Sequence, residues 1–176
     1  THPHPDHAGG MSTVIRRLAP RELLMGVPVE GDPHQTALVR AAASRGTRIR
    51  WVATGESLAE GPVSVQVRHP ERPDWDRPRV RNDDSVVLWI RLGDVGILLP
   101  GDIGAQVESH VAARVTPAPI SVLRLAHHGS ASSTTRESLE TLDPALAIVS
   151  AGRGNRFGHP APSVLRRLHE AGTGVL

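Results

Sequence analysis

Cysteine is absent from this chain, and with it go disulfides, thiolate zinc sites and a cysteine nucleophile. Tyrosine and lysine are absent too, so all 20 basic residues are arginine. Aromatics make up only 2% of the chain: Trp51, Trp75, Trp89 and Phe157. With 39% hydrophobic residues, the core must be built from Val, Leu, Ile and Ala. Neither sign of charge dominates, and a net charge of +2 does not by itself argue for a nucleic-acid partner. No apolar run approaches the length of a membrane span, and no signal peptide is visible. Arginines cluster at 45–50, 77–81 and 166–167, where they could hold phosphates or simply face solvent.

A length of 176 residues suits one domain spanning 1–176. The chain opens directly on a dense motif and closes on Gly174-Val175-Leu176, which reads as the start of a strand. Both ends look cut, so the expectation is an incomplete piece of a longer protein.

Strands and helices alternate along the sequence. Strands are predicted at Leu24–Val29, Ile49–Ala53, Val63–Val67, Val86–Leu92, Val95–Leu99, Ile120–Leu125 and Leu146–Ser150, from short apolar or alternating runs. Gly93-Asp94 is a hairpin signal between the fourth and fifth of these. Helices are predicted at Ser12–Leu18, Pro33–Ser44, Ile103–Val115, Arg136–Leu142 and Ser163–Ala171. For the second helix Asp32 is the cap, Pro33 the first residue and Gly46 the stop. Residues 71–81, rich in proline and charge, read as a surface loop. The pattern suits a layered α/β arrangement.

The densest chemistry lies in Thr1-His2-Pro3-His4-Pro5-Asp6-His7, closed by Gly9-Gly10. Read as an extended segment, alternation sets His2, His4 and Asp6 on one side and His7 on the other. One loop then offers two imidazoles to one cation, and a carboxylate with an imidazole to another. Nitrogen and oxygen donors without thiolate suit Zn²⁺ or Mn²⁺ in a hydrolytic centre. Further ligand types follow predicted strands: Asp102 after Leu98-Leu99-Pro100-Gly101, His127-His128 after Ile120–Ala126, and His159 after the strand at 146–150. Strand ends are rigid platforms for such groups. Asp102 also suits a helix cap. His34, His69, His110 and His169 match no motif and read as surface histidines.

The order of motifs resembles the metallo-β-lactamase fold, and within it the metallo-hydrolase domain of the ComEC family of DNA-uptake competence proteins. The matching stretches are THPHPDHAGG at 1–10, Asn82 with Ser85 in NDDSVVL, LLPGD at 98–102, LAHHGS at 125–130 and SAGRGNRFGHP at 150–160. The resemblance implies an αββα sandwich of the metallo-β-lactamase type, truncated at the N-terminus and at the C-terminus. It implies two divalent transition-metal ions (Zn or Mn) and no organic cofactor. His2, His4 and His128 would hold one ion, Asp6, His7 and His159 the other, with Asp102 bridging. His128 is preferred to His127 as ligand, and His127 would then orient a neighbour from behind. Asp6, Asp102 and His128 would carry catalysis, around a water activated between the ions. Ser130, Asn155 and Arg156 would contact a substrate phosphate.

The function so implied is a metal-dependent phosphodiesterase, a DNase acting on one strand during uptake. It would work at the extracytoplasmic face, beside the membrane-channel portion of a larger protein. Two other readings stay open. One keeps the metal pair but hydrolyses a small phosphodiester, lactone or thioester. The other is a non-catalytic DNA-guiding module.

Overall fold

The computed structural model describes residues 1–72, 76–115 and 120–176. Trp75 and the middle of the predicted 71–81 loop lie outside the described residues. The chain opens with a helical turn, α1 (Pro5–Ala8), and a short helix, α2 (Met11–Leu18). A β–α–β unit follows: β1 (Glu22–Met25), α3 (Pro33–Arg45) and β2 (Arg48–Trp51), with β1 and β2 paired in parallel. Asp32 caps α3 through its carboxylate, 2.7 Å from the Gln35 N–H, and Gly46 ends it at φ 67°.

Then come β3 (Ser57–Glu60), β4 (Val63–His69), β5 (Val87–Leu92), β6 (Val95–Leu99), α4 (Ala105–Val115), β7 (Val122–Arg124), α5 (Arg136–Leu142), β8 (Leu146–Ile148), α6 (Pro162–Glu170) and β9 (Gly174–Val175). Strands β3 to β9 form one sheet in sequence order. Strands β3 to β6 pair antiparallel, and β6 to β9 are parallel. The predicted Gly93-Asp94 hairpin is present, with Leu92 opposite Val95.

Three apolar clusters define the layers. Ile15, Met25, Leu38 and Ala41 seal α2 and α3 onto β1 and β2. Val52, Val67 and Val86, with Leu24 and Leu88, join that strand pair to the large sheet. Val87, Trp89, Leu98 and Leu123 on the other side of the large sheet meet Val111 of α4, Leu139 of α5 and Leu168 of α6. Helix, sheet, sheet, helix is thus the order of the layers, the αββα arrangement. Among the described residues no helix is long and apolar enough to cross a membrane.

The site follows from the parallel half. Strands β6, β7 and β8 run the same way, so their carboxyl ends share one rim of the sheet. The segments leaving them carry Asp102, His127-His128 and His159. Ligand sites in parallel sheets sit at that rim for this reason.

Two local readings change. Strand β1 spans Glu22–Met25 rather than Leu24–Val29, and beyond it Gly26 packs so close to Val86 that a Cβ there would meet it at 2.9 Å. The opening motif is extended only as far as His4. Pro5 starts a helical turn, so Asp6 leaves the alternation and joins His7 on α1. Strand β3 carries only two apolar residues and exists by pairing with β4.

Candidate metal centre

Four ligand-type residues converge: Asp6, His7, Asp102 and His128, each offering an atom within 4.8 Å of the others. His7 Nε2 is 3.0 Å from Asp102 Oδ2 and 3.8 Å from Asp6 Oδ2. His128 Nε2 is 3.4 Å from Asp6 Oδ2 and 3.5 Å from Asp102 Oδ2. Ligand atoms on one ion with bonds of ~2.1 Å lie about 3.4 Å apart at the edges of a tetrahedron. The spacing matches donors arranged around a single small cation.

Beside this group, His2 Nε2 and His4 Nδ1 are 2.8 Å apart, and the His2 and His7 rings are 4.5 Å apart between centroids. His128 lies with Asp6, His7 and Asp102, and His4 lines the same cavity. His159 stands outside the group, its ring 5.9 Å from that of His127 and stacked on Phe157.

Proton positions test whether these residues suit a cation. His128 Nδ1 is 2.7 Å from the Ser150 carbonyl, which can only accept. The donor-only Arg124 guanidinium also lies 3.2 Å from Nδ1, but the carbonyl is the shorter contact and assigns the hydrogen to Nδ1. In the neutral ring Nε2 is then a bare lone pair. That buried lone pair has no hydrogen-bond partner and faces two carboxylate oxygens. Lone pairs aimed at one another repel, unless a cation lies among them. His7 and His2 also have Nδ1 partnered outward, His7 with Thr1 Oγ1 at 2.9 Å and His2 with Ser85 Oγ at 3.1 Å. Hydroxyls can donate or accept, so these outward bonds orient the two rings and hold Nε2 of each toward the cluster. The donor set fits a small divalent ion.

Electrostatics agree. Burial pushes the His2 pKa down to about 3, and the neighbouring imidazoles of His7 and His4 add to the shift. His2 is therefore neutral near pH 7, as a ligand must be. Burial alone would raise the pKa of Asp102, which is only 3% exposed. The hydrogen bond from His7 and the surrounding imidazoles outweigh burial and hold it below the usual carboxylate range. Asp102 is an anion at neutral pH.

The support for this cluster was largely invisible in sequence. Ser85 Oγ accepts the Asp102 N–H at 3.0 Å while bonding His2. Arg124 donates to the Gly101 carbonyl at 2.8 Å and lies 3.5 Å from Asp102 Oδ1. A charged residue inside an apolar strand was the one available signal for Arg124. His127 and His128 both adopt left-handed backbone, at φ 47° and 56°. For non-glycine residues that is strained, and such strain collects at functional sites. It aims the two rings apart: His128 toward Asp102, and His127 toward Asn82, whose Nδ2 is 3.2 Å from its Nε2. Arg77 and Arg81 pair with buried Asp84, closing the turn that presents Asn82.

Of the residues assigned to substrate, Arg156 is exposed, its guanidinium over the ring of Phe157. Ser130 turns inward, its Oγ 3.0 Å from Ser132 Oγ. Asn155 uses its whole amide on its own loop. It donates to the Gly152 and His159 carbonyls and accepts from the Phe157 and His159 N–H groups. Its capacity is filled by folding the loop. Elsewhere, His69 is half-buried and donates to the Asp83 carbonyl, and burial lowers its pKa. It is less open to solvent than its sequence context suggested.

Ser85→Ala should lower metal affinity by about 10- to 100-fold, because it orphans the Asp102 N–H and frees the His2 ring. Titration with Mn²⁺ or Zn²⁺ followed by calorimetry measures this. Affinity equal to wild type would show that Ser85 does not orient the ligands.

Residues 1–153 match the model of the metallo-beta-lactamase superfamily. The chain belongs to that superfamily. It is 32% identical over 176 residues to ComE operon protein 3 of Bacillus subtilis, which covers 100% of this chain and 22% of that protein. It is 32% identical over 169 residues to Recombination protein 2 of Haemophilus influenzae, covering 96% of this chain and 19% of that protein. The chain thus spans about a fifth of the length of these relatives. Among solved structures it resembles CmlA, a diiron beta-hydroxylase from Streptomyces venezuelae, with a TM-score of 0.60. There the identity is 17% over 99% of this chain and 42% of that one, a likeness of fold.

Proposed function

We propose that this superfamily domain is a dinuclear metal-dependent phosphodiesterase that cuts one strand of DNA during uptake. The observation that carries the reading is the His128 lone pair, buried without a partner against the carboxylates of Asp6 and Asp102. In this reading Asp6, His7 and His128 hold one ion, His2 and His4 the other, and Asp102 serves both. His159 and His127 line the substrate side of the same cavity of about 790 Å³. When bound, the ions supply a water of lowered pKa and neutralise charge on the phosphoryl oxygens.

The protein's own residues do the rest. Buried Asp102 and the outward bonds of His2, His7 and His128 keep the donors in place, so little reorganisation accompanies reaction. Asp6, 62% exposed at its side chain, is the carboxylate open to water at the mouth of the site. It is placed to accept a proton from the attacking water. Arg156 is placed to meet phosphate charge from outside. The competence relatives support a role in DNA uptake, and in this reading the domain works at the extracytoplasmic face beside a membrane channel. The nitrogen and oxygen donors accept Zn²⁺ or Mn²⁺.

The test is metal removal and restoration. The metal-loaded protein should carry about two equivalents of transition metal and degrade single-stranded DNA. A chelator should abolish cleavage, and Mn²⁺ or Zn²⁺ should restore it. Turnover of small esters with DNA left intact would move the reading to a small-substrate hydrolase. DNA binding indifferent to His4→Ala, without cleavage, would point to a guiding module.

A further inference from the structure

Phe157 is the only phenylalanine in the chain, and it is 66% exposed. A single exposed apolar side chain is ordinary. Three features set this one apart. Its ring lies nearly parallel to that of His159, at 19° and 5.7 Å between centroids. The Arg156 guanidinium sits over it, 4.9 Å from the centroid. The loop beneath is pinned by the four hydrogen bonds of Asn155, one of them from the Phe157 N–H. The ring is thus held on a built footing, and it lines the cavity that contains Asp6, Asp102 and His128. The other described aromatics differ: Trp89 is buried between Arg68 and Arg91, and Trp51 packs into the α2–α3 layer.

We infer that Phe157 is a stacking platform for a nucleobase of a single-stranded polynucleotide whose phosphodiester lies at the metal centre. The inference rests on the phosphodiesterase reading of that centre and names how its substrate is gripped. Base stacking on an aromatic ring is tolerant of sequence, because every base has a π-face. It requires an unpaired base, which selects single strands over duplex. Arg156, exposed and over the ring, is the group an incoming base displaces, and its cation can then meet the neighbouring phosphate.

The experiment compares wild type, Phe157→Ala and Phe157→Trp, all metal-loaded. A single-stranded oligonucleotide carrying 2-aminopurine reports stacking by quenching, and an abasic oligonucleotide of equal length is the reference. Wild type should quench the probe and prefer the base-bearing strand. Phe157→Ala should cut that preference by about 5- to 150-fold, and Phe157→Trp should retain it. An equal preference in wild type and Phe157→Ala, or none in wild type, overturns the subsite. DNA cleavage measured in parallel separates the two readings. Cleavage with a Phe157-independent preference leaves the hydrolase standing and removes the platform. A Phe157-dependent preference without cleavage does the reverse.

Discussion

Replacing Asp102 with alanine should abolish metal-dependent cleavage, lowering its rate by about 10³-fold or more. The carboxylate is 3% exposed, and one of its oxygens lies 3.0 Å from His7 Nε2 and 3.5 Å from His128 Nε2. Like Asp6 it reaches both His7 of the N-terminal turn and His128 of the β7–α5 connection, but it does so from a buried position. Without it, His7, His128 and Arg124 face an uncompensated gap, and a second cation has no shared ligand. Metal content should fall from about two equivalents to one or fewer. Asp102→Asn keeps the shape and removes the charge, so it should lose activity while circular dichroism stays near wild type. Full metal content and cleavage in Asp102→Ala would remove this residue from the centre.

Gly101→Ala should destabilise the fold by about 2–5 kcal/mol, the sum of a left-handed backbone penalty and overpacking. Gly101 sits at φ 67°, and a Cβ there would lie 2.6 Å from Ser85 Cβ, 2.7 Å from its Oγ and 3.2 Å from Thr1 Cβ. Those two residues orient His2 and His7, so the same substitution should also weaken metal binding. Gly93→Ala is the control: it too has positive φ, 56°, but nothing lies within 4 Å of the added atom. It should cost only the backbone share, about 1–2 kcal/mol. Urea unfolding midpoints compare the two. If both variants shift equally, crowding against Ser85 is not what requires glycine at 101.

The elements most legible in sequence were those with local signatures. Helix α3 carries its own cap, first-turn proline and terminal glycine, and it runs Pro33–Arg45 against the expected Pro33–Ser44. Helix α5 spans Arg136–Leu142 as expected, with Thr135 accepting from the Ser138 N–H. The β5–β6 hairpin announced itself by two β-branched runs around Gly93-Asp94. Strand β3 did not, because Ser57-Leu58-Ala59-Glu60 has no periodicity of its own and is defined by its partner. The helical turn at Pro5 was hidden by the same alternation that made the motif conspicuous.

The types of ligand were legible in the same local way. Histidines and aspartates beside glycine and proline at the ends of apolar runs mark a metal site without reference to space. Their assortment was not legible. Which imidazole joins which carboxylate depends on the parallel order of β6, β7 and β8 and on two left-handed residues at 127 and 128. That geometry places His128 against Asp6 and Asp102 and turns His127 to Asn82. It also occupied Asn155 within its own loop, and it recruited Ser85 and Arg124 from segments with little sequence signal.

The sequence by itself determined the donor chemistry, nitrogen and oxygen without sulfur, and the alternation of elements that yields a layered α/β domain. Both follow from residue identity and short-range periodicity. The tertiary structure alone decided the grouping of donors, the outward contacts that orient their rings, and the exposed aromatic at the mouth. Those are set by long-range packing, where residues up to 95 positions apart come within hydrogen-bond distance, as His7 and Asp102 do.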